Sequence, residues 1–309
     1  MGDFYKAVFN QEIKERFLNE IDISQYPNRW WERVFEKSSM FEEKYNKDLL
    51  EFTAAEITEF YKFIDGSLET LIVMNLNLIK YGDWGLNNNM IMDGQNHFSE
   101  FDNELLNRCV SQISLRKSII SLDDLRSLSN QFPNAQDKFL FWALFEGIKG
   151  KEYSDLTSLR MEDLNENACT ATLASGKIVN VMREFINICY QADKEEEYKS
   201  FDGTSHPKKC IDMGFIWKDK QIVTVHKDKS IYNTIVRNIA NLGLSKFLSG
   251  NSIFQSGMIY YLNQRALEND TTVKKLFEHP EDIQDILEKY NFNKSLTSRF
   301  LLKYGEILI

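Results

Sequence analysis

Proline is scarce: there are four in 309 residues, at positions 27, 133, 207 and 280. Nothing else in the chain forbids a backbone donor, so long helices are permitted almost everywhere. Cysteine is equally rare. Cys109, Cys169, Cys189 and Cys210 form no Cys-x-x-Cys pair, and the four histidines are scattered. The usual zinc spacings are therefore missing, and buried free thiols in a reducing cytoplasm are the expected state. No run of 18 apolar residues occurs, so no segment reads as a membrane span. The first residues, MGDFYKAVFNQEIKERF, lack an apolar stretch flanked by charge and do not read as a signal peptide. Neither a metal nor a cofactor is expected, and the expected location is the cytoplasm.

What is present is apolar and aromatic. Hydrophobic residues make up 43%, with 22 Phe and 13 Tyr, so a disordered chain is excluded and two cores are affordable at this length. The net charge of −9 argues at first against nucleic acid. Phosphate binding, however, needs local cations and not a basic total. Residues 1–118 hold 13 Lys and Arg against 20 Asp and Glu, and residues 119–204 hold 9 against 15. Residues 205–265 reverse the sign: nine Lys and Arg face three Asp and no Glu. The remaining residues, 266–309, return to 6 against 8. Positive charge is thus gathered in one stretch, which is either a solvated basic face or a binding surface.

Helix signals dominate the chain. Thr53-Ala-Ala-Glu56 is a capping box, followed by Ile57, Phe60, Tyr61 and Ile64 at helical spacing. Ser67 caps a second helix expected to end near Tyr81–Gly85, ahead of the polar loop Asn87–Asn96. Ser121 to Asp124 is another capping box, and Lys138–Glu146 reads as a buried helix. Ala168–Leu173 and Lys177–Val181 alternate around Ala174-Ser-Gly176, a hairpin signal. Arg183–Gln191 reads as a helix and Asp193–Glu197 as a solvated acidic loop. Phe215–Trp217 and Ile222–Val225 read as short strands. Ile231–Leu242, Ser256–Leu267, Thr272–Phe277 and the C-terminal segment from Leu296 read as helices. The fold class is mainly α: an all-helical N-terminal module of roughly 115 residues, then a mainly helical domain with a small β-sheet, the boundary falling near Ser114–Ser118.

That order, with FLFWALFEGIKGKEYSDLTSLRMEDL (Phe139–Leu164), Gly176-Lys177 and NSIFQSGMIYYL (Asn251–Leu262), resembles a tyrosine recombinase of the phage integrase family. The resemblance implies a core-binding-like domain over residues 1–116 and a catalytic-type domain over 117–309. In that family two arginines hold the scissile phosphate, a tyrosine attacks it, and Lys and His manage protons. The matching positions here depart from the pattern. Lys149 or Glu152 stands at the first arginine, Asn251 at the histidine, Phe254 at the second arginine and Leu301 or Leu302 at the nucleophile, with Tyr304 close by. The implied function is binding to double-stranded operator DNA and transcriptional repression that maintains lysogeny, with no strand cleavage.

Members of the family clamp the duplex, so the expected DNA contacts are cationic and polar side chains. They are Lys80, Arg116, Lys117, Arg160, Lys177, Lys208, Lys209, Lys218, Lys220, Lys227, Lys229, Asn233, Arg237, Gln255 and Arg265. The helix after Ser67, with Asn75, Asn77 and Lys80, is a candidate reader; its bland reading is a core helix with solvated asparagines. Two alternatives stand beside repression. One is an active or accessory recombinase using a displaced Tyr304. The other is a DNA-independent interaction module, for instance for a phage regulatory protein, favoured by the acidic total. The oligomeric state and the docking of the C-terminal segment, in cis or in trans, are left open.

Overall fold

The computed structural model describes residues 8–26, 29–218 and 227–309. The chain divides into two compact units, Met1–Ser114 and Leu115–Ile309. The first is built from α1 (Gln11–Glu20), α2 (Trp30–Tyr45), α3 (Ala54–Ile64), α4 (Leu68–Asn87) and α5 (Asn103–Cys109). The boundary between the units falls within α6 (Gln112–Ser118).

Aromatic residues make the first core. The Phe17 ring lies 4.8 Å from both Trp31 and Tyr81, and Phe35 lies 5.1 Å from Tyr81. Edge-to-face contacts of this kind add to the burial of large apolar area. A charged cluster is sealed into the same core. The Lys14 ammonium reaches Glu42 at 2.7 Å and Asp48 at 3.0 Å, and the Tyr81 hydroxyl donates to Asp48 at 3.1 Å. Burial pushes the Glu42 carboxyl up to about 7 despite Lys14 beside it. The capping box at Thr53 forms as the sequence indicates. The helix opened by Ser67 runs on to Asn87, past the expected end at Tyr81–Gly85. Two glycines inside it do not stop it, because tertiary contact needs them: a Cβ at Gly82 would collide with the Asn96 amide. Asn96 instead donates to the Ile79 carbonyl and to Asp83, tying the following loop to α4.

The second unit surrounds α8 (Ala135–Phe145), every residue of which from Gln136 to Phe145, except half-buried Lys138, is buried. Around it stand α7 (Leu122–Asn130), α9 (Ser154–Ser158), α10 (Arg183–Asp193), α11 (Lys227–Asn241) and α12 (Gly250–Glu268). The helices α13 (Val273–Glu278), α14 (Gln284–Lys289) and α15 (Thr297–Tyr304) complete it. The helices α12 and α8 approach closely at Gly257. A Cβ at Gly257 would run into the Phe145 carbonyl, so only glycine lets these helices meet. The C-terminal segment packs onto its own unit: the Ile309 carbonyl accepts from Val273 N–H, and Asn263 accepts from Ile309 N–H at 3.1 Å.

Sheet content is small. β1 (Leu164–Asn165), β2 (Thr170–Thr172) and β3 (Ile178–Asn180) form an antiparallel meander, with Ala171 opposite Val179. β4 (Glu197–Tyr198) pairs antiparallel with β5 (Lys208–Lys209), Tyr198 opposite Lys208. Two sequence expectations need correction. Phe215–Trp217 forms bends and no strand, because Ile216 and Trp217 are drawn singly into the core. Asp193–Glu197 is not a merely solvated acidic loop: Glu195 accepts from the Ala135 and Gln136 N–H groups at 2.9 and 2.8 Å, and Glu197 begins β4. Glu195 thereby satisfies two orphan donors at the start of α8, whose own Asn134 makes no side-chain cap. The expected strand Ile222–Val225 lies outside the described residues.

Candidate nucleic-acid interface

Two groups of the expected site residues are brought together, and they differ in character. The first lies on α11 and the β4–β5 hairpin. Ile231, Ile235 and Ile239 of α11 enter the core at helical spacing. The opposite face presents Lys229, Tyr232, Asn233, Val236 and Arg237 to solvent. Lys208 and Lys209 are exposed on β5. The hairpin and the helix are joined: the Arg237 guanidinium donates to the Tyr198 hydroxyl at 3.0 Å, and Tyr198 is the register partner of Lys208. Cations, an amide, a tyrosine and a small apolar side chain thus share one surface. Such a mixture can hold phosphates and touch base edges.

The second group gathers residues that the resemblance set at catalytic positions. Lys149 and Asn251, 102 positions apart in sequence, meet with Lys149 Nζ donating to Asn251 Oδ1 at 2.6 Å. The same ammonium lies 5.4 Å from the Phe254 ring centre and 5.8 Å from that of Tyr153. Burial holds the Lys149 amine below its ordinary value. Phe254 in turn packs edge-on against Tyr290 at 5.1 Å. The loop between Lys149 and α9 is strained, since Glu152 and Tyr153 are consecutive non-glycine residues with φ of 52° and 64°. Glu152 is exposed. Leu301 is half-buried against the C-terminal core, and Tyr304 is only 4% exposed, its ring 5.0 Å from Phe300.

Next in sequence to Tyr290, on which Phe254 packs, Lys289 belongs to a buried ion pair that sequence reading missed. Lys289 and Glu146 meet at 2.6 Å with side-chain exposures of 6% and 0%. Glu146 also accepts from the Tyr261 hydroxyl at 2.7 Å and from Met182 N–H at 2.9 Å, while Lys289 donates to the Asn180 carbonyl at 2.6 Å. Burial holds the Lys289 amine low and pushes the Tyr261 hydroxyl up. A signal for it existed: Glu146 closes an almost wholly apolar helix, and an acid in that setting needs a partner.

The other expected contacts are dispersed. Lys177, expected at a free hairpin tip, donates to the Glu288 carbonyl of α14, and burial lowers its amine although Glu288 and Asp155 oppose the shift. Lys218 is a correction: it is 5% exposed, and its ammonium donates to the Asp193 carbonyl, so no contact surface includes it. Arg265 pairs with Asp285 at 2.9 Å and Glu268 at 3.6 Å. Arg116 pairs with Glu306 at 3.1 Å, and Lys117 sits 4.9 Å from the Phe247 ring. Arg160 stacks on Phe215 at 4.7 Å. Gln255 is half-buried on α12. Lys80 is exposed beside Tyr26, but Asn75 and Asn77 are not solvated as the bland reading had them. Asn75 bridges the Tyr61 hydroxyl and the Phe101 carbonyl inside the core. Lys220 and the side chain of Lys227 lie outside the described residues. Among the described residues no His, Cys, Asp and Glu cluster is built to hold a metal, and no helix is long and apolar enough to cross a membrane.

Known proteins of similar sequence place the chain in a family. A curated protein of Bacillus subtilis (strain 168), the SPbeta prophage-derived uncharacterized protein YopR, is 25% identical over 96% of this chain and 99% of its own length. Residues 8–87 match the family model described as MrpR, N-terminal core-binding domain. Residues 119–305, more than half of the chain, match that described as MrpR, C-terminal catalytic domain. The chain therefore belongs to the MrpR family, which joins a core-binding domain to a catalytic-type domain of the tyrosine recombinase kind.

Proposed function

We propose that this chain is a sequence-specific double-stranded DNA-binding protein that represses prophage transcription and does not cleave its target. One observation carries the reading: Lys229, Asn233 and Arg237 line one exposed face of α11, and Arg237 is joined through Tyr198 to the β4–β5 hairpin that exposes Lys208 and Lys209. Lysines there neutralise phosphates, while Asn233 and Arg237 have the bidentate groups that read adenine and guanine edges. Cleavage needs preorganised donors on the phosphate and a reachable nucleophile. At the matching positions Lys149 closes onto Asn251, Phe254 packs on Tyr290, and Tyr304 is buried. The prophage origin of the relative YopR supports a regulatory setting.

Electrophoretic mobility shift over a salt series tests the binding. Specific binding is expected, with log affinity falling linearly against log salt by about 0.9 per phosphate contact. Absence of preference for any fragment of the encoding prophage DNA would sink the proposal. A nicked suicide duplex tests the chemistry. No covalent adduct is expected; an adduct abolished by Tyr304→Phe would restore the active recombinase.

A further inference from the structure

Apolar packing alone leaves a helix free to rotate by small amounts about its axis. The α11 helix is held differently. Asp137 on α8 is 2% exposed, and its carboxylate accepts from three side chains. Asn134 donates to Oδ2 at 2.8 Å, while the Tyr198 hydroxyl at 2.9 Å and Asn238 at 2.7 Å donate to Oδ1. Asn134 also exchanges hydrogen bonds with the Lys199 backbone, accepting from its N–H at 2.7 Å and donating to its carbonyl at 2.9 Å. One buried carboxylate therefore fastens α11 through Asn238 and the β4–β5 hairpin through Tyr198 and Asn134.

The neighbour of Asn238 in sequence is Arg237, the exposed residue that donates to the same Tyr198 hydroxyl at 3.0 Å. The hydroxyl proton points at Asp137, which leaves the oxygen lone pairs to receive the guanidinium. Chains of this kind polarise one another, and a satisfied buried network specifies one arrangement where an apolar core tolerates several. Successive residues of a helix are separated by about 100°. Fixing Asn238 inward thus fixes the directions of Asn233 and Arg237, and Tyr198 fixes where Lys208 stands relative to them.

We infer that Asp137, acting through Tyr198 and Asn238, is a positioning hub that sets the DNA-reading geometry of Arg237 and the β5 lysines without touching DNA. The inference rests on the DNA-binding reading above. It assigns sequence discrimination to residues no contact survey of the surface would select. Removing the hydroxyl leaves Arg237 present and charged but no longer aimed.

Asp137→Asn places an amide donor among three donors and risks unfolding, so Tyr198→Phe is the informative variant. Wild-type protein would first select a duplex from a randomised pool. Affinities for that duplex and for a shuffled duplex of equal composition would then be measured for wild type, Tyr198→Phe, Arg237→Ala and the double variant. Tyr198→Phe is expected to lower the ratio of the two affinities roughly tenfold, the worth of one well-placed base contact. Its binding to the shuffled duplex and its salt slope should stay at wild type, which a merely structural defect would not spare. The double variant should discriminate no worse than Arg237→Ala alone. An unchanged ratio in Tyr198→Phe, or losses that add in the double variant, would overturn the inference while leaving the DNA reading intact. Failure of wild type to enrich any duplex would overturn both.

Discussion

The cluster around Lys149 and the α11–hairpin face carry the same kinds of side chain, and they use them oppositely. In the cluster, Lys149 is folded onto Asn251 and lies near two aromatic rings, and the Glu146–Lys289 pair elsewhere in the same unit is likewise closed on itself. On the face, Lys208, Lys209 and Lys229 are exposed. A cation satisfied inside its own protein gains little by turning to a phosphate, since it must first break its present bonds and be desolvated again. An exposed one gives up only water and releases counterions from the DNA. The lesson is that exposure and prior commitment decide which cations of a basic stretch can bind, and Lys218 and Arg265 show it as clearly as Lys149 does.

The contrast can be broken from either side. The largest effect is expected at the buried Glu146–Lys289 pair. Glu146→Ala strands Lys289 as a buried charge and should lower the unfolding free energy by about 3–5 kcal/mol in denaturant titration, whereas a joint Glu146→Leu and Lys289→Met replacement should cost much less. A double loss as large as the single one would show that the pair is a net stabiliser. Next comes the open face. Reversing Lys208, Lys209 and Arg237 to Glu should weaken duplex binding on the order of a hundredfold and flatten the salt slope by about 0.9 for each phosphate contact removed. An unchanged gel shift would favour a DNA-independent module.

The buried carboxylate of the N-terminal unit supplies a smaller, pH-dependent effect. Glu42 is pushed from 4.5 up to about 7, so the folded state holds its proton more tightly than the unfolded chain does. The stability it contributes is present below about 4.5 and is lost as pH rises through about 7. Melting between these values should show that decline, and Glu42→Gln should reduce it; a slope indifferent to the substitution would refute the assignment. The smallest effect sharpens the original contrast: Lys149→Ala should change duplex affinity less than roughly threefold, within the range of a solvated or internally committed charge. A loss matching that of the face reversals would return Lys149 to the interface.

Much of the fold was legible because it is written locally. The capping boxes at Thr53 and Ser121 and the apolar run inside α8 depend on residues three or four apart; α3 and α7 start at their caps, while the helix expected over Lys138–Glu146 begins three residues earlier, at Ala135, and ends at Phe145. The hairpin turn at Ala174–Gly176 is of the same kind, with Gly176 N–H returning to the Leu173 carbonyl. Reading failed where a distant partner intervenes. Helix α4 continues through Gly82 because Asn96 packs there, and Phe215–Trp217 surrenders its strand pattern to the core. Asn75 looked like a solvated amide until Tyr61 and Phe101 enclosed it.

The candidate site divides along the same line. By itself the sequence determined the mainly helical class, the recombinase-like order of elements and the gathering of positive charge between residues 205 and 265. Each of these is a matter of residue identity and spacing along one chain. Only the tertiary structure decided which of those charges are available. It buried Lys218, paired Arg265 with Asp285, and tied Arg237 to the β4–β5 hairpin through Tyr198; outside that stretch it turned Lys177 onto the Glu288 carbonyl. The physical reason is that a cation's reach depends on what already surrounds it. The surroundings here are drawn from residues tens to more than a hundred positions away, such as Asp193 beside Lys218 and Glu288 beside Lys177.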